Sequence, residues 1–109
     1  MNNLLYVILL IPIITNAATV SWYGHGFHGK RTANGEVFNQ NALTCASNSH
    51  KMGTKLLVTN PATNKSVVVK VNDTGGFKKY GRTLDLSKAA FSRIAPLKQG
   101  TAKVKIQVL

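Results

Sequence analysis

The segment Ala102-Lys103-Val104-Lys105-Ile106-Gln107-Val108 alternates apolar and polar residues without a break. A period of two puts Val104, Ile106 and Val108 on one face of a β-strand and the polar residues on the other. A chain with this ending must build a sheet that buries one face. Val67–Val71 is β-branched and predicts a second strand. The turn Asn60-Pro61-Ala62-Thr63-Asn64-Lys65 lies between it and the strand expected over Thr54–Asn60, so these two form a hairpin. Thr19–Gly24 and Leu84–Leu86 add short strands. Asn41–Ala46 is expected as a short helical turn. A helix is expected over Lys88–Ile94, capped by Ser87 and broken near Pro96. The 109 residues suffice for one domain with a modest core. Five or six short strands leave unprotected edges unless the sheet closes on itself. The expected fold is therefore all-β with small inserted helices, in a small closed barrel.

The first residues stand apart. Asn2-Asn3 precedes the apolar run Leu4–Ile14, followed by Thr15-Asn16-Ala17. The run is too short to span a bilayer and ends in small residues, the pattern of a secretory signal peptide, although no Lys or Arg precedes it. Residues 1–17 are expected to be this leader, with cleavage after Ala17 or, alternatively, Ala18, and residues 18–109 the barrel domain. An N-terminal membrane anchor and a buried strand are the competing readings of the run. No cysteine directly follows it, so no lipid-anchor site is expected.

Fourteen Lys and Arg against three Asp and Glu give a net charge of +11, none of it from residues 1–17. Such a balance suits an anionic partner or a solvated basic surface. The charges are scattered, and no ribonucleoprotein-type aromatic pattern accompanies them, so nucleic acid is not the expected partner.

With so few carboxylates, their positions carry weight. Asp73 ends the Val67–Val71 strand in Asn72-Asp73-Thr74-Gly75-Gly76, where glycine permits a tight turn. Asp85 sits between Leu84 and Leu86, and Glu36 follows the Asn34-Gly35 turn signal. Each also has a structural reading: Asp73 can cap its turn, and Asp85 can bond backbone near Ser87.

Other chemistry is less well supported. The single Cys45 excludes an internal disulfide and, in an apolar context, is expected to be a buried thiol. His25, His28 and His50 lack a nearby completing ligand and are expected as loop or surface residues, with no metal and no cofactor. Gly24–Gly29 is glycine-rich loop without the spacing of a dinucleotide fingerprint.

A set of short pieces falls in a specific order: Ser21-Trp22-Tyr23-Gly24, Thr32-Ala33-Asn34-Gly35-Glu36-Val37-Phe38, Ala42-Leu43-Thr44, Gly53-Thr54, Val58-Thr59-Asn60, Val71-Asn72-Asp73 and Leu84-Asp85-Leu86-Ser87. Together they cover nearly all of residues 18–109 and resemble the rare lipoprotein A family. The resemblance implies a six-stranded double-psi β-barrel related to expansins and barwin-like proteins. It implies an exported, secreted or periplasmic protein. It also implies a lytic transglycosylase that cuts peptidoglycan glycan strands between N-acetylmuramic acid and N-acetylglucosamine, leaving 1,6-anhydro ends.

On that pattern Asp73 is the expected catalytic acid, with Asp85 and Glu36 as groove carboxylates. Tyr23, Ser47, Asn72 and Phe77 are the expected substrate-binding positions; Tyr23, Trp22 and Phe77 can stack on sugar rings or pack in the core. The expected partner is the glycan strand, with no stable membrane insertion after leader removal and a monomeric state. Two departures from the family pattern stand out. Ser47 occupies the place of a family histidine, and His50 lies three residues on, where the family is usually apolar. A serine cannot hold a proton as imidazole does. The alternative to an enzyme is therefore a non-catalytic, expansin-like wall-binding module using the same groove.

Overall fold

The computed structural model describes residues 16–23, 28–75 and 83–109. Residues 1–15 of the expected leader (1–17), His25 and Phe77 lie outside the described residues. Six strands, β1 (Asn16–Tyr23), β2 (Thr44–Ser47), β3 (Lys55–Asn60), β4 (Lys65–Asp73), β5 (Leu84–Ser87) and β6 (Thr101–Val108), close into a barrel in the order β1-β5-β2-β4-β3-β6. A short helix, α1 (Lys88–Ser92), and a 3-10 turn at Leu97–Gln99 connect β5 to β6.

Period-two alternation sets the inner face. Leu56 and Val58 of β3, Val67, Val69 and Val71 of β4, and Ala102, Val104 and Ile106 of β6 are buried, while their neighbours point outward. Val108 departs from its expected burial and is 55% exposed, although its register partner Leu56 is buried in the core. Leu84 and Leu86 of β5 and Val20 of β1 complete the wall, and α1 packs Ala90 and Phe91 against it. Each of these large side chains contributes about 1.5–3 kcal/mol by leaving water. Ser87 caps α1 by accepting from Ala90 N at 3.2 Å. The helix is shorter than expected and gives way to turns before Pro96. The carbonyl of Ile94 beyond it is satisfied by Asn60 Nδ2 and Thr63 Oγ1, both at 2.8 Å.

The expected β3–β4 hairpin is present, with Val58 opposite Val67 and Asn60 opposite Lys65. The stretch expected as a helical turn differs. Its second half is β2, a four-residue strand held on both sides, parallel to β4 and antiparallel to β5. Two ladders outweigh the weak local preference of Cys45-Ala46.

Candidate functional site

The site is built from the outward residues of β1, β5, β2 and β4. Cys45 faces Leu86 and both are buried in the core, so the next pair along, Ala46 and Asp85, lies on the opposite side of the sheet. Asp85 is in turn the register partner of Ser21 on β1. On the other flank the β2–β4 register shifts between Cys45 and Ala46, and this irregularity places Asp73, rather than Asn72, across from Ala46. The result is one transverse row, Asp73–Ala46–Asp85–Ser21, over four adjacent strands. Two strand spacings separate the acids, roughly 10 Å between Cα atoms, with the small Ala46 as the floor between them.

Each acid is held differently. Asp85 Oδ1 accepts the Ser21 hydroxyl at 2.5 Å, a short contact of the charge-assisted kind. Asp73 Oδ1 accepts two backbone N–H groups, from Thr74 and from Ala33, both at 2.9 Å. Thus Asp73 caps the turn that follows it and also anchors a hairpin forty residues away. Its Oδ2 accepts no hydrogen bond among the described residues, and the side chain is half-buried. One oxygen is fixed by two backbone donors.

That hairpin carries the third acid. Arg31 and Val37 form a bridge, and the Thr32–Glu36 turn is closed by Thr32 N to Glu36 O at 2.7 Å and Gly35 N to Thr32 O at 3.0 Å. Gly35 has φ 88°, which explains its place after Asn34. The Asn34 side chain organises the tip. Its Oδ1 accepts from Thr32 Oγ1 and Glu36 N, and its Nδ2 donates to Glu36 Oε1 at 2.6 Å. Glu36 is exposed and also lies 3.4 Å from Lys70 Nζ on β4. The Asn34 bond first, and then Lys70, hold its carboxyl below the ordinary 4.5. Glu36 is therefore on the rim, engaged with Lys70, while Asp73 and Asp85 share the row.

Tyr23 follows Ser21 on the same face of β1, opposite Ser87. Its ring stacks on Phe38 of the hairpin with centroids 4.5 Å apart. Burial, then the charges of Asp73 and Asp85, raise its phenol above the ordinary value of 10. The hydroxyl therefore stays protonated beside both acids and remains a donor. Asn72 is buried at the register shift, and its carbonyl accepts from Asn34 N at 3.4 Å.

Ser47 is 1% exposed. Its hydroxyl accepts from the N–H groups of Ser49 and His50 and lies 3.1 Å from His50 Nδ1. The imidazole three residues on is thus folded back against the serine. The neighbouring Asn48 bonds both ways with Gly75, through its Nδ2 to the Gly75 carbonyl and through Oδ1 from Gly75 N. These contacts tie the end of β2 to the turn after Asp73. His28 Nδ1 accepts from Gln40 N at 3.2 Å. Cys45 is fully buried and its thiol is pushed up to about 12, which removes it as a nucleophile.

Sequence reasoning did not identify Ser21, Ala46, Asn34 or Lys70 as parts of the site. For Ser21 there was a signal, a polar residue between Val20 and Trp22 at the outward position of a strand. For the others the signal is purely spatial.

Comparison with known proteins adds to this geometry. A family model described as lytic transglycolase matches residues 15–106. The endolytic peptidoglycan transglycosylase RlpA of Campylobacter jejuni is 53% identical over 89 residues, 82% of this chain and 32% of that protein. The protein of the same name from Rickettsia bellii is 48% identical over 98 residues, 87% of this chain and 43% of that protein. The chain thus spans less than half the length of these relatives. Among solved structures, Streptomyces papain inhibitor superposes with a TM-score of 0.70 at 23% identity, covering 91% of this chain and 98% of that one. An expansin of Clavibacter michiganensis in complex with cellohexaose gives 0.69 at 20% identity, covering 88% of this chain and 50% of that one. These two likenesses establish the double-psi barrel fold.

Proposed function

The chain belongs to the lytic transglycolase family, and from that premise we propose that its barrel cleaves peptidoglycan glycan strands without water. The observation that carries the proposal is the row Asp73–Ala46–Asp85–Ser21, two carboxylates flanking a floor without a bulky side chain. The names of the relatives supply the substrate class.

Asp73 is the acid/base in this reading, because two backbone N–H groups anchor its Oδ1 and so fix the direction of the carboxyl. The protonated carboxyl gives its proton to the glycosidic oxygen as the bond from the N-acetylmuramic acid C1 breaks. The 6-hydroxyl oxygen of the same sugar then bonds to C1, closing the 1,6-anhydro ring, and its proton returns to Asp73. No water enters and no second base is needed, in contrast to a hydrolase with its two working carboxylates. Asp85, held by Ser21, places negative charge along the groove where positive charge builds on the sugar. Glu36, Tyr23 and Asn72 line or support the groove. Ser47 supports it from beneath through His50, and Phe77 is the proposed aromatic contact.

Residues 1–17 direct export in this proposal, which puts the barrel in the periplasm or outside the cell with its substrate. β1 begins at Asn16, so cleavage after Ala17 or Ala18 trims only exposed or half-buried residues at the strand's end. The working unit is a monomer.

The test is product analysis. Incubation with purified sacculi or peptide-free glycan is expected to release fragments with 1,6-anhydro ends by mass spectrometry. Reducing ends would make the protein a hydrolase. Pelleting with sacculi without cleavage would make it the non-catalytic wall-binding module, the reading favoured by serine at position 47.

A further inference from the structure

The barrel order sets two outer walls back to back. β5 and β3 are three strands apart in a closed ring of six, as are β2 and β6. The acid row is centred on β5 and β2, so the outer face of β3 and β6 looks the opposite way. Its composition is distinct. The outward residues are Lys55, Leu57 and Thr59 on β3 and Lys103, Lys105 and Gln107 on β6, continued by Val68 on β4. In register, Val68 faces Leu57, which faces Gln107, and Thr59 faces Lys105. An apolar centre therefore lies among lysines, with Val68 42% exposed and Leu57 half-buried. A shallow depression lined by Ala17, Thr19, Pro61, Lys103 and Lys105 extends the face onto β1. Among the described residues, the carboxylate that reaches the edge of this wall is Glu36, through Lys70.

We propose that the β3–β6 wall rests on an anionic lipid bilayer, holding the acid groove toward the opposite side. Charge complementarity supplies the attraction, since each lysine close to an anionic bilayer contributes on the order of a few-fold in partition. The exposed Val68, with the half-buried Leu57 beside it, selects the bilayer over a soluble polyanion. Apolar side chains between cations gain by entering the headgroup layer, whereas a hydrated polymer leaves them in water.

The proposal is independent of the glycan chemistry and is tested without it. The full chain is mixed with vesicles of phosphatidylcholine alone, or with about one quarter phosphatidylglycerol, and floated on a density gradient at low and high salt. The same comparison on the chain without residues 1–17, the form that export leaves, is expected to give the same order, so that differences between variants report the wall. The expected result is that K55E/K103E/K105E lowers partition onto anionic vesicles at least about tenfold at low salt. The control K88E/R93E/K98E, on the α1 side, loses much less. Equal losses for the two triple variants would overturn the proposal in favour of net charge alone, and an unchanged partition for K55E/K103E/K105E would overturn it outright. A second measurement covers misfolding of the triple variant. An environment-sensitive dye on V68C is expected to shift to the blue with anionic vesicles, while the same dye on S92C, exposed at the end of α1, stays unchanged. No shift at V68C, or equal shifts at both positions, would contradict the orientation.

Discussion

Ser21 and Asp85, register partners on the parallel strands β1 and β5 and 64 residues apart in sequence, are joined by a hydroxyl–carboxylate hydrogen bond of 2.5 Å. The bond locks the two strands at the level of the acid row and fixes the direction of the carboxylate. Ser21→Ala leaves a partly buried carboxylate without this donor. The expected cost is about 1.5–3 kcal/mol in denaturant unfolding, the range for a hydrogen bond to a charged group. Cleavage of glycan is expected to fall as well, because Asp85 loses the bond that sets its direction in the row. An unchanged unfolding midpoint would mean that the contact has no energetic role.

Glu36 makes a pH prediction whose sign follows from its partners. Asn34 and Lys70 lower the folded pKa below 4.5. A carboxyl with a depressed folded value contributes stability that is present above its unfolded value and is lost as pH falls through the folded one. In an NMR titration the Glu36 carboxyl is expected to titrate below 4.5. Asn34→Ala, which removes the largest contribution, and Lys70→Met should each move it back up. Both variants keep Gly35 and the backbone bonds Thr32 N to Glu36 O and Gly35 N to Thr32 O.

Cys45 provides a probe of the core. With the thiol buried and pushed up to about 12, a thiol reagent at neutral pH should not label the native protein. Labelling should appear only as denaturant opens the barrel, and with the same midpoint as the loss of strand signal. Labelling in the native state would mean that β2 opens separately from its neighbours β4 and β5.

The Ser47–His50 contact predicts coupling between two positions. Ser47 has no room around it, so Ser47→His, the residue the family resemblance places there, is expected to overpack by about 1–3 kcal/mol while the His50 ring stays in place. Adding His50→Leu vacates that ring and should recover much of the loss. A double-mutant cycle with no coupling would show that the two side chains do not share this space.

Much of this arrangement was legible in sequence, for reasons that differ by element. β6 announces itself because alternation of Val, Ile and Lys is what a half-buried strand requires, and β4 because its run of valines is β-branched. The Asn34-Gly35 turn and the Ser87 cap were legible because their backbone geometry selects those residue types. β2 was not, since Cys45-Ala46 has little preference of its own and becomes a strand through partners on either side. Nor could sequence reveal that the register shift beside Cys45 brings Asp73, and not Asn72, opposite Ala46. The separation of roles among the three acids was equally hidden: Asp73 and Asp85 share a row, while Glu36 is spoken for by Asn34 and Lys70 on the rim. These are consequences of pairing between segments 25 to 65 residues apart, on which local composition is silent.

The central claim is that the carboxyl of Asp73, fixed by the N–H groups of Ala33 and Thr74, carries the proton. Asp73→Asn keeps an amide oxygen to accept those two hydrogen bonds and removes the titrating group. The decisive measurement is the rate of 1,6-anhydro end formation on peptide-free glycan by this variant, with circular dichroism and unfolding recorded alongside. The expected result is a folded barrel whose cleavage rate falls by at least about a hundredfold, the scale of a lost general acid. A folded Asp73→Asn protein that cuts glycan at the wild-type rate would contradict the account.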